Sequence, residues 1–80
     1  MSGIPLGKLD RGIKAVIKHI EETGNGTTLR LLEMGFIEGS SVCIAHEAPF
    51  SKDPIIVEVR GALIALRRSE ANLIRVQVLP

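Results

Sequence analysis

The stretch IIVEVRGALIAL, Ile55 to Leu66, limits the possible folds more than any other. Ile55, Val57 and Val59 face one way and Glu58 and Arg60 the other, the two-residue period of a strand with one buried face. Gly61 follows at once and allows a tight reversal into ALIAL. Two apolar runs joined through a single glycine predict a β-hairpin. A hairpin alone is marginal in water, so the rest of the chain must supply more strands or a helix to cover it.

The flanking segments supply both. IKAVIKHIEE, from Ile13, alternates through Ala15 and Ile17, with Ile13 expected on the same inward face. Ile20 then falls at the wrong offset, and a β-bulge near Lys18 would restore the inward face. A helix also fits Ile13, Val16, Ile17 and Ile20, but β-branched residues dominate and favour a strand. GNG is a turn. TTLRLLEMG then reads as a two-turn helix, with Thr27 or Thr28 as its cap, Leu29, Leu32 and Met34 inward, and Gly35 at its end. SSVCIAHE is a strand with Val42 and Ile44 on one face. Ser69-Glu-Ala-Asn predicts a helical turn capped by Ser69. LIRVQVL closes the chain as a strand, with Ile74, Val76 and Val78 inward. This order gives a mainly β fold: a small closed barrel of about five strands, a short helix after the first and a helical turn before the last. One domain over residues 1–80 is expected, without repeat or linker.

With 80 residues the core is thin, and one cysteine rules out an internal disulfide. The composition compensates: 45% is hydrophobic, nearly all aliphatic, with two Phe and no Trp or Tyr. Ten Lys and Arg against nine Asp and Glu leave no basic excess, which speaks against nucleic-acid binding. The amino terminus has no apolar h-region, and ALIAL falls far short of the about 20 residues of a membrane span. A soluble, cytoplasmic protein is expected, and a lone Cys43 fits a reducing compartment.

Chemistry is sparse. His19 and His46 lie far apart, and no HxxxH, CxxC or phosphate-loop pattern is present. His46 with Cys43 and Glu47 is the one candidate divalent metal site, with His19 in reserve; ordinary polar strand residues are the plainer reading. No enzyme and no resident cofactor are expected. The pair Phe36-Ile37, placed between Gly35 and Gly39, either plugs the barrel or meets a partner.

In order, these pieces resemble the ferrous iron transport protein A family, FeoA. Leu29 to Gly39, LRLLEMGFIEG, is similar to the family's Arg-Leu-Leu-x-Met-Gly signature. Ala48 to Ile55, APFSKDPI, resembles its Ala-Pro-Leu-Gly-Asp-Pro-Ile loop, with Ser51-Lys52 where a glycine is usual. Val59 to Val76 resembles its closing segment, with Ala62 where an aromatic is frequent. The resemblance implies an SH3-like barrel and an accessory role in ferrous iron uptake, through contact with the permease FeoB and its GTPase domain. A chain of this length looks like the free-standing form of the domain. The expected contacts are Met34, Phe36 and Ile37, with Arg30 and Arg67 as flanking charge, an apolar anchor rimmed by arginine. A metal sensor or metallochaperone is the alternative function. An open barrel edge would also admit pairing with a second copy.

Overall fold

A computed structural model describes residues 3–80; the first two residues of the expected domain lie outside it. The strands are β1 (Ile4–Pro5), β2 (Lys14–Ile20), β3 (Ser41–Glu47), β4 (Ile55–Val59), β5 (Ala62–Leu66) and β6 (Ile74–Val78). Helix α1 spans Thr27–Glu33 and α2 spans Arg68–Ala71, and a 3-10 turn covers Leu6–Lys8. All six strands form one antiparallel sheet in the order β1-β6-β2-β3-β4-β5. The sixth strand is β1, two residues paired with Val76 and Arg75, too short to leave a pattern in the sequence. Among the described residues β1 and β5 do not pair, so the ring of hydrogen bonds expected to be closed stays open.

The alternation read from the hairpin holds. Ile55, Val57 and Val59 are buried together with Val42, Ile44, Ile74 and Val76. The bulge in β2 is where the inward face demanded it: register with β6 shifts between Ile17 and His19, and Ile20 returns to the core. A second bulge in β3, between Ile44 and His46, left no sign in the residue pattern. Ile13 and Val78, expected inward, are exposed at 38% and 45%. Ile13 precedes β2 and Val78 ends β6, so neither has the sheet's full cover.

The exit of α1 explains the paired glycines. Gly35 takes φ 107°, and its N–H bonds the Leu32 carbonyl at 3.0 Å. The Phe36 N–H reaches back to the Leu31 carbonyl at 3.1 Å. These two bonds form a Schellman motif, which places the residue after the glycine against the last turn of its own helix. Phe36 and Leu31 are accordingly both fully buried. Phe36 is thus a plug in the core, and the expectation that it contacts a partner is overturned. The expected phase of α1 is overturned with it. Its buried line is Thr28 and Leu31, with Met34 half-buried, while Leu29 and Leu32 face outward. Neither threonine caps the helix. The Asn25 Oδ1 accepts the Thr27 N–H at 3.1 Å, and the Thr28 hydroxyl donates to the Glu21 carbonyl. That buried hydroxyl and the Leu31–Phe36 pairing together turn the helix one residue from the expected phase.

Candidate partner-binding site

The outward face of α1 carries two large apolar side chains that the fold leaves in solvent. Leu29 is 60% and Leu32 42% exposed. Spaced three apart on a helix, they are neighbours on one surface. Ile37, at the tip of the turn that closes with the Ser40 N–H on the Ile37 carbonyl at 3.0 Å, is 44% exposed. Met34, expected as a contact, packs half-buried against the core.

Charge is organised beside this face. The Arg30 guanidinium pairs with the Glu70 carboxylate of α2. The other Glu70 oxygen accepts the Arg67 backbone N–H at 3.0 Å, and the Glu70 N–H bonds the Arg67 carbonyl. Glu70 therefore caps α2 at Arg67, and Ser69, the expected cap, has no such role. The two arginines read from the sequence as flanking charge, Arg30 and Arg67, are brought to the same carboxylate, though forty residues separate Arg30 from Glu70. Both remain exposed.

The hydrogen bond from Arg30, and then that from the Arg67 backbone, hold the Glu70 carboxyl below the ordinary glutamate range. A depressed folded-state pKa contributes stability that is present above the unfolded value and is lost as pH falls through the folded one. Glu70→Gln is thus expected to be less stable than the parent chain at neutral pH. The gap should close as pH drops below the usual glutamate range. Urea denaturation of both proteins over a pH series checks this, and a gap independent of pH would remove the ionised pair as its cause.

The candidate metal ligands do not converge. Glu47 accepts a hydrogen bond from Arg68 at 2.7 Å and is committed to it. Cys43 lies opposite Glu58 and His46 opposite Ile56, on either side of the β3 bulge. His19 stands 3.7 Å from Glu21 on β2's exposed side. Among the described residues no three His, Cys, Asp or Glu side chains could hold one ion. Cys43 instead lines a shallow cleft of about 300 Å³ with Lys14, Glu58, Arg60 and Leu79.

Two features escaped the sequence. Phe50 stands fully exposed with φ 67°, at the tip of the loop between β3 and β4. Arg68, in α2, holds that loop in place. Its Nε bonds the Lys52 carbonyl at 2.8 Å, and its backbone N–H bonds the Asp53 carboxylate at 2.9 Å.

Comparison with known proteins follows the same lines. A fusion of Fe(2+) transport protein A with the Fe(2+) transporter FeoB, from Porphyromonas gingivalis, is 35% identical over 75 residues. The match takes in 92% of this chain but 8% of that relative's length. The solution structure of an FeoA-like protein from Clostridium acetobutylicum superposes with a TM-score of 0.88 at 31% identity, covering 100% of this chain and 91% of the other. FeoA of Stenotrophomonas maltophilia, solved with zinc and described as an SH3 domain protein, gives 0.80 at 29% identity, over 96% and 89% of the two chains. The family model for the FeoA domain matches residues 4–78, so this chain belongs to the FeoA family of SH3-like domains.

Proposed function

We propose that this chain is an accessory domain of ferrous iron uptake that works by binding a FeoB-type permease, without catalysis of its own. The observation that carries the reading is the outward leucine pair, Leu29 and Leu32, beside an arginine-rimmed carboxylate on an otherwise well-packed barrel. Exposed apolar pairs of this kind, edged by arginine, are the usual anchors of a protein interface. The Porphyromonas gingivalis relative supports the choice of partner, since there a similar domain is joined to FeoB in one chain. Among the described residues no helix is long and apolar enough to cross a membrane. The contact proposed is with the transporter's cytoplasmic part. Ile37 extends the apolar surface, and Arg30 and Arg67 supply its charged edge.

The test is the double variant Leu29→Ser/Leu32→Ser, titrated against the transporter's cytoplasmic domain by calorimetry. Because both leucines are solvated, the variant should fold as the parent does and lose affinity at least tenfold. Unchanged affinity with an intact fold would discard this surface. His46→Ala should bind as the parent does; a loss of affinity there, restored by added Fe²⁺ or Zn²⁺, would move the reading to the metal-sensing alternative.

A further inference from the structure

The second unpartnered surface is the free edge of β5, and its geometry specifies an occupant. The β4–β5 hairpin turns through Arg60 and Gly61, with φ of 50° and 81°. Two consecutive left-handed residues are what a two-residue hairpin loop of the type I′ class requires. In such a loop the flanking pair, here Val59 and Ala62, exchanges hydrogen bonds, and hydrogen-bonded pairs then recur at every second residue. The register continues as Val57 with Ile64 and Ile55 with Leu66. Ala62, Ile64 and Leu66 thus direct their backbone groups toward β4. Leu63 and Ala65 direct theirs outward, and β5 has no second neighbouring strand among the described residues.

Among the described residues nothing protects this edge. From Ala62 to Leu66 the strand holds no charge, no proline and no bulge, the devices that normally keep an edge from pairing. Leu63 is 62% exposed and Ala65 is exposed as well. The sequence Ala-Leu-Ile-Ala-Leu also complements itself when reversed. With a two-fold axis at Ile64, Leu63 of each copy meets Ala65 of the other, Ala62 meets Leu66, and Ile64 meets Ile64. Each large side chain faces a small one, except on the axis. The only two residues with outward backbone groups, Leu63 and Ala65, then become the hydrogen-bonded pairs, each exchanging both of its N–H···O bonds. Side-chain fit and backbone parity select the same register independently.

We infer that two copies of this chain associate through antiparallel β5–β5 pairing centred on Ile64, which makes one continuous sheet through both barrels. The interface is distinct from the leucine face of α1 and does not depend on the transporter reading. In this register the Arg60–Gly61 turn of one copy lies beside Arg67 and Arg68 of the other. Salt that screens these like charges should tighten the pairing.

Sedimentation equilibrium and amide hydrogen exchange test it together on the whole chain. A concentration-dependent dimer is expected, strengthened by salt. The Leu63 and Ala65 amides should gain protection as the protein is concentrated from micromolar to millimolar, while the Ile64 amide is protected throughout. Leu63→Lys places a charge on the interface. Ala65→Pro removes an outward N–H that serves no bond within the chain, a position where an edge strand tolerates proline. Both variants should be folded monomers. A parent chain monomeric at millimolar concentration overturns the inference. So does a dimer weakened by salt, or one in which Leu63 and Ala65 exchange freely. Protection of these two amides in dilute protein only when the transporter's cytoplasmic domain is added would likewise overturn it, because the edge would then take a foreign strand.

Discussion

Phe36→Ala should lose about 3–5 kcal/mol of folding stability, the range for truncating a fully buried phenylalanine. The ring has no exposed surface, and its backbone is locked to Leu31 by the Schellman bond, so the helix exit cannot close over the cavity without giving up that motif. A domain of this size has only about 4–12 kcal/mol to lose. The melting temperature should therefore fall by about 12–40 °C, at roughly 4–8 °C per kcal/mol. Phe36→Leu, which keeps most of the volume, should lose only about 1–1.5 kcal/mol. Urea and thermal denaturation of the pair decide the matter. Near-parental stability in Phe36→Ala would return the ring to the list of partner contacts.

This result bears on the binding surface as well. If Phe36 is structural, its loss weakens partner binding only through unfolding, and the residual folded fraction should bind normally. Leu29 and Leu32 should behave in the opposite way, changing affinity and leaving stability alone. The two sets of variants separate the plug from the docking face, which lie within eight residues of one another on a single helix and its exit.

What could be read from the sequence, and what could not, divides along physical lines. Period-two alternation in β4, the bulge at Lys18, the reversal at Gly61 and the helix stop at Gly35 are local, and each was legible. The phase of α1 was not. Leu29 with Leu32 and Thr28 with Leu31 each fit a 3.6-residue period, though Met34 lies about 160° round from Leu32 and belongs only to the second face. Two leucines against a leucine and a threonine favour the wrong one. The capping chemistry decided it, through a leucine, a glycine and a phenylalanine at the spacing of a Schellman motif. That spacing puts Leu31 and Phe36 inside and Leu29 and Leu32 outside. Arg30 and Arg67 were expected as flanking charge, but their common partner Glu70 was invisible because contact between α1 and α2 depends on the whole barrel. The metal candidates failed for a related reason. The β3 bulge puts Cys43 and His46 on one face, opposite Glu58 and Ile56, but Glu47 falls on the other face and is already taken by Arg68, so among the described residues no third ligand joins them.

Arg68 is the clearest case of a residue whose role exists only in three dimensions, and its removal should have the second large effect. One guanidinium ties three segments to α2. Its Nη2 bonds Glu47 at 2.7 Å at the end of β3, and its Nη1 bonds the carbonyls of Gly7 at 2.8 Å and Leu9 at 3.3 Å. Its Nε bonds the Lys52 carbonyl in the loop that carries Phe50. The side chain is 22% exposed and that of Glu47 19%, so solvent replaces these bonds poorly. Arg68→Ala strands a carboxylate and three carbonyls and should lose about 2–4 kcal/mol. Lysine keeps the charge but not the planar fork, and cannot reach all four acceptors at once. Arg68→Lys should therefore still lose about 1–2 kcal/mol, where a simple charge pair would lose almost nothing. Amide exchange gives the more specific readout. Both variants should speed exchange at Ser51 and Lys52, whose N–H groups bond Pro49 and Ala48, before any change appears in β2 or β6. Uniform acceleration across the sheet, or none in the loop, would contradict the anchoring role. If the loop does loosen while the sheet holds, Phe50 is an exposed ring presented on a rigid mount by Arg68, and the loop's shape is set by a residue of α2 that packs against it.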